Sequence, residues 1–313
     1  MPKIITEVSK RGINKIIIVG CGDSWFVGSS VRFLFEQLLG ISTESIQALE
    51  YYLYYYHATD HQTLVIGVSS SGNTKAVSQA LQRAKERNAL TLGVTNNKES
   101  SFHKLTDLNI LVQASRKGWP TQSSTSTTIA LISLAHEISL LSESSTANLM
   151  TNYKANIKRL PSLVDSIIKD FDQPMKGLAE ELITCRLFLF TGAGPSLAIA
   201  NIAAAKVREL SPHHAFSIPL EEFHNYRSVK RGDILFIIET DSVYIDRVLE
   251  TAQVANHYGA RVATFTSDHS RDLAEQSQWI YYLPYSDDIF SPIIYSIPFH
   301  WFAYHLAMVN FNN

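Results

Sequence analysis

The chain repeats itself, and no other feature limits its possible folds so tightly. Residues 186–196, ending in Thr191-Gly192-Ala193-Gly194-Pro195-Ser196, lie over residues 15–24, ending in Val19-Gly20-Cys21-Gly22-Asp23-Ser24. Both glycines and the serine fall in register. Each copy runs from a continuous apolar stretch into a glycine turn and then into helical periodicity, with 197–210 matching 25–38. Residues 232–240 lie over 63–68, and 260–266 over 89–95, with a one-residue slip between Ser196 and Ile234. Continuous apolar runs mark strands buried on both faces of a parallel sheet. Two copies of a strand–helix alternation predict an α/β fold of two tandem subdomains, each a mostly parallel sheet with helices on both faces. Their expected limits are 1–145 and 181–313, joined by a helical segment over 146–180. In this reading Ser142 to Thr146 marks the boundary and residues 46–56 form a short helix.

One loop is not repeated. The apolar residues Leu64, Val65, Ile66 and Val68 run into Ser69-Ser70-Ser71-Gly72-Asn73-Thr74, after which Ala76, Val77, Ala80, Leu81 and Ala84 keep helical spacing. A strand that ends in small hydroxyl residues and a glycine, then opens a helix, builds an anion site. Unpaired N–H groups and the positive end of the helix dipole face the ligand there. No Gly-Lys-Ser/Thr follows, so this is not a nucleotide P-loop. An ordinary turn with an N-cap serine remains open. In the second copy the aligned stretch begins at Thr240-Asp241, and a phosphate would meet Asp241. A second hydroxyl cluster, Thr121 to Thr128, precedes the apolar run 129–141. It reads either as a surface loop with an N-cap or as further donors to the same anion.

Composition removes other classes. A net charge of −2 offers nothing to nucleic acid or an anionic membrane surface. The two cysteines, Cys21 and Cys185, have no metal-ligand spacing and suit a reducing, cytoplasmic setting. The apolar runs 127–141 and 293–309 are interrupted by His136 and Glu137, and by Pro298, His300 and His305. They predict buried helices and no membrane span. Gly20-x-Gly22 lacks the third glycine of a dinucleotide fingerprint.

Taken together, Gly20-Cys21-Gly22-Asp23-Ser24, Ser69 to Thr74, Ser123 to Thr128 and Lys206-Val207-Arg208-Glu209-Leu210-Ser211 resemble the double SIS (sugar isomerase) domain family over nearly the whole chain. The resemblance is to the isomerase half of glucosamine-6-phosphate synthase and to fructosamine-phosphate deglycases. It implies that Cys21, Gly22, Ser24, Ser69, Ser71, Thr74, Ser123 and Ser124 hold a sugar phosphate. It also implies that Glu209 is the base that moves a proton between adjacent carbons. Partial burial at the end of its helix would raise the carboxyl of Glu209 towards a useful range. In the first copy Gln37 stands at this position. The family's ring-opening histidine corresponds to His224, spaced from Glu221 as in the family, although Asn225-Tyr226 replaces the family's Gly-Pro. His213 and His214 are rivals for that role. The last lysine is Lys230, whereas the synthase carries a Schiff-base lysine in its tail, so glutamine-dependent amination is not expected.

Three functions follow as alternatives. The first is a deglycase, deaminase or aldose–ketose isomerase working through an enediol or enaminol without metal or cofactor. The second is a sugar-phosphate sensor that does not turn its ligand over. The third, a nucleotide-binding protein, is disfavoured by the incomplete glycine pattern. The resemblance further implies a homodimer with its site at the subunit interface, and a small-molecule sugar phosphate as partner.

Overall fold

The structure, a computed structural model, describes residues 1–115, 121–140, 153–226, 229–240, 242–267, 269, 271–284 and 288–312. The chain divides into two compact units, Met1–Tyr153 and Lys154–Asn313. Ser142 to Thr146 and Asp241 lie outside the described residues.

The first unit runs α1 (Pro2–Arg11), β1 (Lys15–Gly20), α2 (Asp23–Leu39), β2 (Ser42–Gln47), α3 (Ala48–Leu53) and β3 (Thr63–Val68). It continues through α4 (Lys75–Glu86), β4 (Leu90–Thr95), α5 (Phe102–Leu105), β5 (Leu108–Leu111) and α6 (Thr121–Ser139). Its five strands are all parallel in the order β2-β1-β3-β4-β5. Every residue of β3 and β4 is buried, as continuous apolar runs require of central strands. The core on one face joins Ile17, Val19 and Val65 to Val77, Ala80, Leu81 and Ala84 of α4. Each fully buried valine, leucine or isoleucine side chain there stabilises by about 1.5–3 kcal/mol before the entropy cost of ordering it.

The second unit repeats this plan. It comprises α7 (Tyr153–Leu182), β6 (Leu187–Gly192), α8 (Pro195–Leu210), β7 (His214–Pro219), α9 (Glu222–Asn225), β8 (Ile234–Ile238) and α10 (Ile245–His257). It ends with β9 (Arg261–Thr266), α11 (Arg271–Gln276), β10 (Trp279–Tyr282), α12 (Ser291–Ile294) and α13 (Ser296–Asn312). The sheet order β7-β6-β8-β9-β10 is the same and again parallel. Here the sheet carries aromatic rings: Phe190 stacks on Phe236 at 4.6 Å, and Phe299 of α13 packs edge-on to both.

Three sequence expectations need correction. Residues 42–47 form a strand, so the element expected to be one helix over 46–56 starts only at Ala48. Its counterpart β7 was not predicted either. Both are sheet edges that mix exposed and buried positions, so neither carries a continuous apolar run. The hydroxyl cluster beginning at Thr121 is no loop: α6 starts at Thr121 and holds the cluster in its first turns. There Thr127 and Thr128 turn their hydroxyls back to the carbonyls of Ser123 and Ser124, at 2.6 and 3.0 Å. The run 293–309 is broken at Tyr295 into α12 and α13. Among the described residues no helix is long and apolar enough to cross a membrane.

Candidate functional site

Strand order reverses at β1, with β2 on one side and β3 on the other. The carboxyl ends of β1 and β3 therefore frame the crevice in which open α/β sheets hold their ligands. The loops that follow these two strands are the glycine turn at 21–22 and the hydroxyl loop at 69–74.

The hydroxyl loop is tied together by its own side chains. Ser69, 3% exposed, sits at the centre. Its hydroxyl is 2.8 Å from that of Thr74 and 3.3 Å from that of Ser71, and it accepts from the Gly72 N–H at 3.1 Å. Because Thr74 is used this way, no side chain caps the first turn of α4. Gly72 adopts φ 65°, and a Cβ there would lie 2.4 Å from the side chain of Ser100. Only glycine lets the loop close down on β4 and the residues after it.

A narrow cleft opens beside this loop, lined by Ser24, Ser70, Ser123, Ser124 and Thr127 with Val27 and Val68. α6 packs on α2 and so brings Ser123 and Ser124 to Ser24. Ser70, absent from the residues implied by the family resemblance, has a buried hydroxyl with no hydrogen-bond partner. An orphaned hydroxyl costs about 1–3 kcal/mol unless a ligand or water meets it. No local pattern distinguishes Ser70 from Ser69 and Ser71, so only the folded loop reveals it. Every polar residue lining the cleft is neutral. Donors there are hydroxyls and the helix end, the chemistry that suits a phosphate monoester.

Cys21 and Gly22 form the turn before α2. Gly22, at φ 55°, is its N-cap. Cys21 is half-buried and packs on the core beneath; burial pushes its thiol up, against a lowering hydrogen bond from the Ala48 backbone. The thiol is thus a neutral, unreactive contact at physiological pH. Among the described residues no group of three or more His, Cys, Asp or Glu side chains could hold a metal ion.

The same place in the second unit is closed. Phe188 pairs with Ile234 as Ile16 pairs with Leu64, so the offset between copies is 172 residues at the first strand and 170 at the next. The slip is therefore two residues, one more than the sequence alignment indicated. Glu239 stands opposite Ser69, and Tyr244 opposite Thr74; each of the latter pair is the N-cap of its helix. Backbone bonding agrees, since Ser69 N–H donates to Val94 and Glu239 N–H to Phe265, residues that are themselves paired by the repeat. Glu239 is 1% exposed and accepts from the Thr266 hydroxyl. The Tyr244 hydroxyl lies 3.0 Å from that of Ser196, and Thr240 lies 2.8 Å from Ser196 on its other side. The Tyr244 and Thr240 hydroxyls thus meet Ser196 where, in the first unit, Ser24 and Ser70 line an open cleft. Tyr244→Phe is expected to destabilise the second unit by about 1–2 kcal/mol, because the Ser196 hydroxyl loses one of its two partners. Urea denaturation would read this, and an unchanged midpoint would count against the plug.

Glu209 and His224 belong to the second unit. Contrary to the expected partial burial, the Glu209 side chain is 42% exposed, since the buried stripe of α8 ends at Val207. It accepts from Lys206 Nζ, itself buried, at 2.6 Å. His224 sits in the single turn α9, its Nε2 2.8 Å from Thr251 Oγ1. The Thr251 hydroxyl already donates its proton to the Arg247 carbonyl at 2.7 Å, so His224 donates from Nε2–H and Nδ1 is the basic nitrogen. Burial first, then the Arg247 charge, hold the imidazole below its usual range, which leaves it neutral at pH 7. Glu221 is engaged bidentately by Arg247 at 2.6 and 2.8 Å. His213 Nε2 meets the Ile183 carbonyl at 2.7 Å, a structural contact.

The comparisons with known proteins agree with this architecture. The SIS domain model matches residues 11–141 and again 181–310. The glutamine–fructose-6-phosphate aminotransferase of Gloeobacter violaceus is 30% identical over 94% of this chain and 49% of its own length. That of Thermococcus kodakarensis is 26% identical over 99% of this chain and 52% of its own length. The chain therefore spans about half the length of these curated relatives. Among solved structures, the C-terminal domain of the Francisella tularensis glucosamine–fructose-6-phosphate aminotransferase superposes with a TM-score of 0.87 at 21% identity, covering 99% of this chain and 88% of that one. A glucosamine-6-phosphate deaminase from Thermotoga maritima gives 0.73 at 20% identity, covering 98% and 95%. At such identities the structures speak for the fold alone. With two matches that together span most of its length, the chain belongs to the SIS domain family and carries two copies of that domain.

Proposed function

We propose that this protein binds a sugar phosphate in the cleft of its first unit and acts on it by enediol or enaminol proton transfer, as a deglycase, deaminase or aldose–ketose isomerase. The observation that carries this reading is the contrast between the two copies. Ser70 keeps an unpartnered buried hydroxyl facing a hydroxyl-lined cleft, while at the same place in the second unit the Thr240 and Tyr244 hydroxyls are bonded to Ser196. The relatives support it, being named for fructose 6-phosphate and glucosamine 6-phosphate chemistry.

Glu209 would carry the proton between carbons, and its contact with Lys206 would orient the carboxylate. His224, being neutral, would accept the anomeric hydroxyl proton as the carbonyl forms and deliver it to the ring oxygen as its bond to the anomeric carbon breaks. We place the complete site across a homodimer of the chain. The exposure and ion pairing of Glu209 favour one rival, a sensor that binds without turnover.

The test is a thermal-shift series with glucosamine 6-phosphate, fructose 6-phosphate and inorganic phosphate on wild type, Ser70→Ala and Ser71→Ala. A ligand at a hundredfold its Kd should stabilise wild type by about 2.7 kcal/mol, and both variants should lose most of that shift. Equal shifts in all three proteins would remove the loop from the site.

A further inference from the structure

We infer that Thr251 is a positioning residue for His224: its hydroxyl holds the imidazole as the Nε2–H tautomer and leaves Nδ1 to take and give the sugar's proton. The inference rests on the reading above, in which His224 opens the sugar ring.

The hydroxyl of Thr251 has one proton and commits it to the Arg247 carbonyl, one helical turn back, at 2.7 Å. Towards His224 Nε2, at 2.8 Å, it can only accept. The opposite tautomer would set the Nε2 lone pair against an oxygen lone pair at that distance. Thr251 is fully buried, so its hydroxyl has no water to turn to. Among the described residues it is the only hydrogen-bond partner of the ring. Arg247, Glu221 and Glu250 act on the ring through their charges, but they bond one another and not the imidazole. Those charges change how readily the ring takes a proton, and Thr251 decides which nitrogen takes it.

The imidazolium also carries Nε2–H, so the bond to Thr251 persists while a proton comes and goes at Nδ1. Nδ1 takes the anomeric hydroxyl proton as the carbonyl forms. It then gives that proton to the ring oxygen, which leaves with the electron pair of its bond to the anomeric carbon. The ring need not turn between the two transfers.

The duplication isolates this pair. The buried stripe of α4 is Val77, Ala80, Leu81 and Ala84, and that of α10 is Val248, Thr251, Ala252 and Ala255, at the same spacing. Thr251 therefore stands where the first unit has Ala80. Strand pairing sets β7 over β2 and carries His224 to the place of Tyr52, each following a buried ring, Phe223 or Tyr51. Ala80 offers Tyr52 no hydrogen bond. A hydroxyl enters this buried stripe only in the copy that has the histidine. The rival role is that of any helix threonine bonded to the preceding turn. That role would leave the histidine ring indifferent to loss of the hydroxyl.

The experiment is nitrogen-15 NMR of protein labelled in its histidine rings, with turnover measured on the same preparations. The His224 resonances are identified by their absence from His224→Gln. At pH 7 wild type should show a protonated Nε2 and an unprotonated Nδ1, without averaging. In Thr251→Val, which keeps the shape and removes the hydroxyl, the two shifts should move towards each other as the tautomers exchange. Thr251→Ser should restore the wild-type pattern. With whichever of glucosamine 6-phosphate and fructose 6-phosphate wild type turns over, Thr251→Val should lower kcat about 10–100-fold and leave KM within about twofold. Thr251→Ser should recover most of that loss. Wild-type ring shifts in Thr251→Val, or a loss of kcat that Thr251→Ser does not recover, overturn the inference and return Thr251 to packing. If wild type turns over neither sugar phosphate, the enzymatic reading falls, while the spectra still decide whether Thr251 sets the tautomer. Should Thr251→Val fail to fold, wild type alone decides: averaged or inverted ring shifts there overturn the inference.

Discussion

Replacing Gly72 by alanine is expected to abolish sugar-phosphate binding and to destabilise the first unit by about 2–4 kcal/mol. Two costs combine. Alanine must adopt φ 65°, a left-handed conformation that disfavours any side chain. Its Cβ must also fit 2.4 Å from Ser100 and 2.6 Å from the Thr95 hydroxyl, where Ser100 is 2% exposed and has no open side to turn into. The loop can relieve this only by lifting away from β4, which breaks the Ser101 hydroxyl bond to the Gly72 carbonyl and the Asn97 bond to Ser71. The donors of Ser69, Ser70 and Ser71 then no longer converge. Urea denaturation with and without glucosamine 6-phosphate measures both effects. A variant as stable as wild type and still stabilised by the ligand would show that the loop geometry is not the anion site.

Glu209→Gln should lower kcat by about 10²–10⁴-fold while ligand binding is kept. The substitution preserves shape, and the amide oxygen can still accept from the buried Lys206 ammonium, so the end of α8 should hold its place. What is lost is the ability to take a proton from carbon. Turnover is followed with whichever sugar phosphate binds in titration, and binding is measured on the same preparation. Activity equal to wild type would remove Glu209 from the chemistry. Binding in both proteins with turnover in neither would establish the sensor in place of the enzyme.

Features carried by local residue order were legible in the sequence. The central strands announce themselves as unbroken apolar runs because both of their faces are buried. The duplication shows in the paired Gly-x-Gly-x-Ser turns, since each turn makes the same strand-to-helix connection. The hydroxyl loop was visible for a similar reason: its hydrogen bonds lie within six consecutive residues. Edge strands β2 and β7 stayed hidden because exposed positions interrupt their buried ones and leave no continuous apolar run.

What only the folded chain decided depends on residues far apart in sequence. The two-residue slip emerged from strand pairing and set Glu239, not Thr240, opposite Ser69. Tyr244 could be recognised as a plug only once its hydroxyl was seen beside Ser196, 48 positions earlier. The Ser70 hydroxyl is singled out by the loop's turn, which uses its neighbours and leaves it facing the cleft. Periodicity and turn chemistry act over a few residues and fix which elements form. Whether a pocket between them stays open or is filled depends on side chains that meet only through packing.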